Sequence, residues 1–223
     1  MENAIEVIFQ IFIIIFSVVI HEVAHGYAAL DLGDRTAKYA GRLTLNPVSH
    51  LDPFGSVLLP ALLAVFHMPI IGWAKPVPYN PHNLKNPLGR LGAGRNWGPA
   101  IVGAAGPAAN LLLAMVFGLF VRFAPAFQND IGGAFFFNFL TIASTIAVLN
   151  LALAFFNLVP IPPLDGSKVL FALLPYKWHE IETFLTQYGF MLLLVFIFFF
   201  SRLLVPVVLL LFRGVGKVDA ADV

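Results

Sequence analysis

The sequence predicts an all-α polytopic membrane protein with four to six transmembrane helices, a small membrane-associated β element and one candidate re-entrant segment. Hydrophobic residues make up 59% of the 223 residues and charged residues only 11%, which is more apolar surface than one water-soluble core of this size can bury. Several apolar runs also reach the roughly 20 residues that a helix needs to cross a bilayer. The lipid bilayer is therefore an expected partner of the chain.

Four apolar runs are long enough to be spanning helices. They cover residues 4–30, 99–123, 134–156 and 190–212. The first run ends where Asp31, Gly33 and Asp34 break the pattern, and a short turn joins the second and third runs into a predicted hairpin. The fourth is interrupted by a polar pair and by Pro206, so it is either one kinked span or one and a half.

A fifth apolar stretch, residues 55–73, contains two prolines and either crosses the membrane or dips in and returns. Basic residues lie on both sides of this stretch, whereas the turn between the second and third spans has none. The positive-inside tendency then places both flanks on the cytoplasmic side, which favours a re-entrant segment and leaves a true crossing as the alternative. No repeat or soluble domain is visible, so residues 1–223 are predicted to form a single membrane-embedded domain.

Residues 39–46 alternate between apolar and polar side chains, which predicts a short strand beside the membrane. The edge of such a strand needs a partner, either from the protein or from a bound peptide.

Charge and cysteine usage exclude several classes of function. The net charge of +1 gives no polybasic patch, so nucleic acid is not an expected partner. The chain has no cysteine, which excludes a disulfide framework, a thiolate metal site and a cysteine nucleophile. Any metal must be bound by nitrogen and oxygen ligands.

The segment His21-Glu22-Val23-Ala24-His25 predicts a catalytic divalent metal site, with zinc as the expected ion. Histidines four apart on a helix project from one face, so both imidazoles can reach one ion. In this pattern the glutamate takes a proton from the attacking water and passes it to the leaving amine, which is the chemistry of peptide-bond hydrolysis. Apolar helix precedes and follows the motif, so an interfacial helix end is the weaker interpretation.

A catalytic zinc site usually has three protein ligands, and a carboxylate is the expected third. Asp165 stands amid apolar residues at the end of a proline-rich stretch that cannot be regular helix. Irregular backbone at membrane depth must face protein or a water-filled cavity, and a hydrolase needs such a cavity. The other interpretation is that Asp165 caps the helix beginning near Gly166, and the two roles are not exclusive.

The motifs together resemble the site-2 protease family of intramembrane zinc metalloproteases, in a compact form without a PDZ-like or nucleotide-sensing domain. The resemblance rests on residues 21–26, on Gly106-Pro-Ala-Ala-Asn110, and on the N-x-x-P-x-P-x-x-D-G pattern of residues 157–166. It implies that His21, His25 and Asp165 bind one zinc ion and that Glu22 is catalytic. It also implies that Asn157, and with it Asn110, helps to hold the substrate.

The resemblance further implies cleavage of a transmembrane segment in a membrane-protein substrate, with the strand at residues 39–46 receiving the unwound peptide. The expected location is the cell membrane of a prokaryote, with the active site toward the cytoplasm. Two alternatives use the same polar cluster: a metal or proton transport or binding protein, and an inactive homologue that acts as a scaffold. Glu22 favours the protease, since a transporter needs no base beside the metal. His50 either contacts the site or organises its own turn.

Overall fold

The structure is a computed structural model that describes residues 2–58, 62, 65, 73–87, 97–127 and 133–216. The described residues form seven α-helices, joined by short 3-10 and π-helical turns. The helices are α1 (Glu2–Asp31), α2 (Thr36–Tyr39), α3 (Gly98–Phe123), α4 (Ala134–Asn157), α5 (Asp165–Leu173), α6 (His179–Val195) and α7 (Leu204–Gly216).

Four described helical segments are long and apolar enough to cross a membrane. They are Ile8–Asp31, Gly98–Phe123, Phe136–Asn157 and His179–Phe200. The first three coincide with predicted spans to within a few residues. Many of their large apolar side chains are exposed, as expected of surfaces whose solvent is lipid.

The fourth predicted span, residues 190–212, covers parts of two helices, which separate at the predicted polar pair Ser201-Arg202. The fourth candidate span begins at His179, and a 3-10 turn at Ser201–Leu203 separates it from α7. Pro206 lies in the first turn of α7, where its missing N–H leaves no intrahelical hydrogen bond unmade, so it helps to start a helix rather than to kink one.

The predicted β element at residues 39–46 is also wrong, and the described residues contain no strand. Tyr39 is the last residue of α2, and Gly41 follows with a positive φ of 64°. The Gly41 amide donates to the Lys38 carbonyl and the Arg42 amide to the Ala37 carbonyl, which is the hydrogen-bond pattern of a helix that ends in a left-handed residue. The alternation of apolar and polar side chains over residues 39–46 therefore reflects the end of a helix rather than a strand.

Only the two ends of the apolar stretch 55–73 are well described; apart from residues 62 and 65, residues 59–72 lie outside the described part of the chain. The Trp73 amide donates to the Gly55 carbonyl at 3.1 Å, and the Ser56 hydroxyl donates to the Trp73 carbonyl at 2.7 Å. The two ends of the stretch thus lie side by side.

By its internal contacts the chain divides into two compact units, Met1–Gly106 and Pro107–Val223. The first unit contains α1, the segments that follow it, and the start of α3. Ala29, Leu84 and Val102 form a small buried cluster there, which joins α1 to α3 and to the segment before it. The Lys85 amide donates to the Leu32 carbonyl at 2.8 Å, so this connecting segment returns to the end of α1.

The second unit has its core where α3, α4 and α7 pack together. Alanines provide much of the contact, because small side chains let apolar helices approach closely in a membrane. The buried residues of this core are Ala114, Val121, Ala143, Ala147, Leu151, Val208 and Phe212. The unit also carries α5, which begins at Asp165.

Candidate metal centre

Helix α1 brings His21 and His25 together within a candidate membrane span. Their imidazole rings lie edge to face, with centroids 4.6 Å apart, and both side chains are buried. The nitrogens that could bind a metal lie within 4.8 Å of each other. The four-residue spacing therefore produces the common face that the sequence predicted.

The start of α3 forms the opposite wall of this histidine pair. A Cβ atom added to Gly106 would lie 2.5 Å from the His25 Nε2 and 2.6 Å from the His21 Nε2. Both ring nitrogens therefore point toward the same place beside the Gly106 backbone, and only glycine leaves room for them there.

The backbone of α3 also sets the orientation of one imidazole. The His25 Nδ1 lies 2.6 Å from the Val102 carbonyl oxygen, and a carbonyl can only accept, so Nδ1 carries the proton. The lone pair of His25 is then on Nε2, the nitrogen that faces Gly106 and His21. Metal-binding histidines commonly have this arrangement, and the pair fits a zinc ion held by two imidazole nitrogens.

Glu22 follows His21 directly and is held by a different part of the first unit. Its Oε2 accepts a hydrogen bond of 2.8 Å from the backbone amide of Val77. One carboxylate oxygen is thereby fixed by the backbone. The arrangement suits a residue that must present its other oxygen to a proton in a defined direction.

Asp165 lies in the second unit, at the first residue of α5, and its side chain is buried. It forms an ion pair of 2.8 Å with Lys168, which offsets part of the cost of burying a carboxylate. The N-cap residue of this helix is Leu164, and Asp165 is the first helical residue after it. Gly166 packs directly against the Leu158 carbonyl, which ties the proline-rich stretch to the start of α5.

The two asparagines named by the resemblance also lie in the second unit. Asn110 is fully buried and donates to the side-chain oxygen of Asn150 at 3.0 Å, and Asn150 donates to the Ile146 carbonyl at 2.9 Å. Asn157 is half-buried and donates to the Leu153 carbonyl at 2.9 Å. Sequence reasoning missed Asn150, although an amide in the middle of an apolar run is a detectable signal.

His50 joins its own turn to two other segments of the chain. Its Nε2 lies 2.9 Å from the Thr44 carbonyl, its backbone carbonyl accepts from the Lys75 amide at 2.9 Å, and the side chain is almost fully buried.

Asp34 ties the segments around α1 together, and sequence reasoning treated it only as a helix breaker. Its carboxylate accepts hydrogen bonds from the Thr36 amide and hydroxyl, from the Asn80 amide and from the Asn83 side chain, at 2.7 to 3.2 Å. Burial alone raises the pKa of Asp34, but these hydrogen bonds outweigh it, so the pKa lies below its ordinary value of 3.8.

The sequence matches the family model for peptidase family M50 over residues 9–196. The chain belongs to this family. It is 40% identical over 182 residues to "Putative zinc metalloprotease YwhC" of Bacillus subtilis (strain 168), a match that covers 82% of this chain and 76% of that protein. It is 31% identical over 190 residues to "Putative zinc metalloprotease Rip2" of Mycolicibacterium smegmatis (strain ATCC 700084 / mc(2)155), covering 81% of this chain and 63% of that protein. No solved structure is significantly similar.

Membership of this family identifies the functional class of the protein. The chain is a zinc metalloprotease of the site-2 protease type and an integral membrane protein. The resemblance drawn from the three motifs is confirmed, and the transport alternative is set aside.

Proposed function

We propose that this M50 protein is an intramembrane protease, which hydrolyses peptide bonds within or near transmembrane segments of membrane-protein substrates. The observation that carries the proposal is the position of the histidine pair. His21 and His25 direct their Nε2 atoms to one place from inside the candidate span Ile8–Asp31, rather than from a loop outside it. A peptide bond that reaches this site must itself be at or near membrane depth.

We assign three zinc ligands: His21, His25 and Asp165. Two imidazoles and one carboxylate are a common ligand set for catalytic zinc, and Asp165 offers one of the few carboxylates that are buried among the described residues. Zinc acts as a Lewis acid in such sites. Glu22 takes a proton from the attacking water and delivers it to the nitrogen of the leaving amine, so the peptide bond breaks without net proton change at Glu22.

We assign substrate contact to Asn157, which lies at the end of α4 just before the proline-rich stretch that leads to Asp165. An amide side chain can pair with the exposed backbone of an unwound peptide. Asn110 is fully buried and bonded to Asn150, so its part is to fix the interior of the second unit.

We place the protein in the cell membrane of a prokaryote, with the histidines toward the cytoplasmic end of α1. Arg35, Lys38 and Arg42 follow α1 within twelve residues, and positively charged segments are retained on the cytoplasmic side. The motif lies in the second half of α1, on the same side of the helix centre as these residues.

The test is to reconstitute the purified protein with zinc in vesicles that contain a panel of single-span peptides, whose apolar segments are interrupted by a glycine-proline pair. The wild type cleaves within or beside the span, whereas Glu22→Gln retains its zinc and loses cleavage by a factor on the order of 100 or more. The matched control is Glu182→Gln, at an exposed position of α6, which cleaves as the wild type does. Cleavage that survives Glu22→Gln, or a zinc-loaded wild type that cuts none of the panel, would contradict the proposal.

A further inference from the structure

The hydrogen bond between the Val77 amide and Glu22 joins the proposed base to a segment more than fifty residues away in the chain. Val77 belongs to segment 75–80, which is neither helix nor turn. Pro76 and Pro78 flank Val77 and have no N–H, so the Val77 amide is the single backbone donor between Lys75 and Tyr79. The Val77 amide donates its hydrogen bond to the Glu22 Oε2, at 2.8 Å.

The side chain of Val77 fixes the same stretch against α1. It is buried, and a Cβ added to Gly26 would lie 3.0 Å from the Val77 Cγ1. Gly26 is one helical turn after Glu22, so segment 75–80 lies along the face of α1 that carries the carboxylate.

Arg42 holds segment 75–80 immediately before Val77. Its Nη2 donates to the Lys75 carbonyl at 2.7 Å and approaches the Pro76 carbonyl at 3.5 Å. On the other side the Lys75 amide donates to the His50 carbonyl at 2.9 Å. The backbone of Lys75 is therefore fixed both at its amide and at its carbonyl, two residues before the amide that reaches Glu22.

The burial of Arg42 indicates that this residue does more than stabilise the segment it contacts. Arg42 is only 8% exposed, and its Nε has no hydrogen-bond partner among the described residues. Burying a cation with an unpaired donor opposes folding, and an apolar side chain of similar size is often neutral or stabilising at such a place. The Arg42 Nη2 donates instead to the carbonyls of Lys75 and Pro76, the two residues before Val77.

We propose that Arg42 is a positioning residue for Glu22, acting through segment 75–80. The hydrogen bonds from Arg42 hold the Lys75 and Pro76 carbonyls and thereby position the Val77 N–H. The Val77 N–H in turn fixes Oε2 of Glu22, so that the other carboxylate oxygen faces the water proton that Glu22 must take. The inference rests on the proposed role of Glu22. It predicts that loss of Arg42 impairs turnover rather than substrate affinity or metal binding.

The experiment compares Arg42→Ala and Arg42→Lys with the matched control Arg35→Ala, which removes an exposed cation from the same connecting region. With the single-span peptide panel, Arg42→Ala lowers kcat by about 10- to 100-fold with little change in KM, because a base misplaced by about 1 Å is an inefficient one. Arg42→Lys restores much of kcat, since an ammonium group can still donate to the Lys75 carbonyl. Arg35→Ala has wild-type kcat, and all three variants keep the wild-type zinc content.

A second readout follows the hydrogen bond itself. Exchange of the Val77 amide with deuterium is slow in the wild type and in Glu22→Gln, whose amide oxygen still accepts the bond. It is faster by roughly tenfold or more in Glu22→Ala and in Arg42→Ala, and slow again in Arg42→Lys.

The outcomes separate this inference from the proposed function. If Glu22→Gln is inactive but Arg42→Ala keeps wild-type kcat, the inference falls and the proposed function stands. The inference also falls if Arg42→Ala lowers kcat while the Val77 amide stays protected, because Arg42 then acts by another route. If Glu22→Gln remains active, the proposed role of Glu22 fails, whatever the exchange of Val77 shows.

Discussion

Replacing Gly106 with alanine is expected to weaken zinc binding without unfolding the protein. The new Cβ would lie 2.5 Å from one Nε2 and 2.6 Å from the other, whereas ordinary contact begins at 3.4 Å, so each ring nitrogen has to move by roughly 0.8–0.9 Å. His25 has little freedom to move, because its Nδ1 is bonded to the Val102 carbonyl. Zinc–nitrogen distances tolerate only about 0.2 Å of change.

We therefore expect zinc affinity to fall on the order of 10- to 100-fold, the range typical when the groups that orient metal ligands are disturbed. The helix itself should not suffer, since alanine is better than glycine in a helix interior by about 1 kcal/mol. The assay is zinc competition with a chelator of known affinity, together with the thermal unfolding of the metal-free protein.

The control is Gly214→Ala, in α7, where an added Cβ meets nothing within 4 Å. It should bind zinc as the wild type does. Wild-type zinc affinity in Gly106→Ala would refute the reasoning, because the two ring nitrogens could not then converge beside this backbone.

Three further predictions concern other parts of the chain. Asp165→Ala should lose bound zinc, measured as metal per chain, while Lys168→Met keeps it; full zinc in Asp165→Ala would remove Asp165 from the ligand set. Asn150→Leu removes the side-chain oxygen that accepts from the buried Asn110 amide and should lower the free energy of unfolding by about 1–3 kcal/mol. The double variant with Asn110→Leu should recover part of this loss, and a double variant less stable than Asn150→Leu would contradict the prediction. Because the pKa of Asp34 is lowered in the folded state, its stabilising contribution is complete above the ordinary value of 3.8 and is lost as the pH falls through the folded value. Thermal unfolding between about pH 2 and 5 should therefore depend on pH more steeply in the wild type than in Asp34→Asn, and equal slopes would count against the assignment.

The parts of the fold that depend on local sequence patterns could be predicted from the sequence. The first three spans are continuous apolar runs bounded by polar or helix-breaking residues, and the structure places them within a few residues of the prediction. The fourth candidate span begins at His179 rather than at residue 190. Its first two turns carry polar side chains, among them His179, Glu182 and Thr186, so hydropathy alone does not reveal where this helix begins. Length and hydropathy therefore fix a span less well when one end of the helix is polar.

The failure at residues 39–46 has a different cause. Alternation of apolar and polar side chains is a signal of period two, but a helix terminus followed by a short irregular stretch produces the same letters. Gly41 was the clue, since a glycine directly after a short helical pattern is a common left-handed terminator.

Within the metal centre, sequence could predict the residues that share one helix. The spacing of His21 and His25 is a property of α1 alone. The Val102 carbonyl that orients His25 is 77 residues away, and the Val77 amide that holds Glu22 is 55 residues away. Both are backbone groups, and the side chains of these two valines carry no sign of the role of their amide or carbonyl.

The connection between α1 and α3 has a consequence for how the chain is laid out across the bilayer. Lys85 returns to Leu32, and Val102 and Gly106 of α3 lie against His25 and His21 of α1, so the two helices run in opposite directions. The connection thus begins and ends on the same side of this helix pair. An insertion or deletion can therefore change the length of this connection without reversing the direction of any later helix.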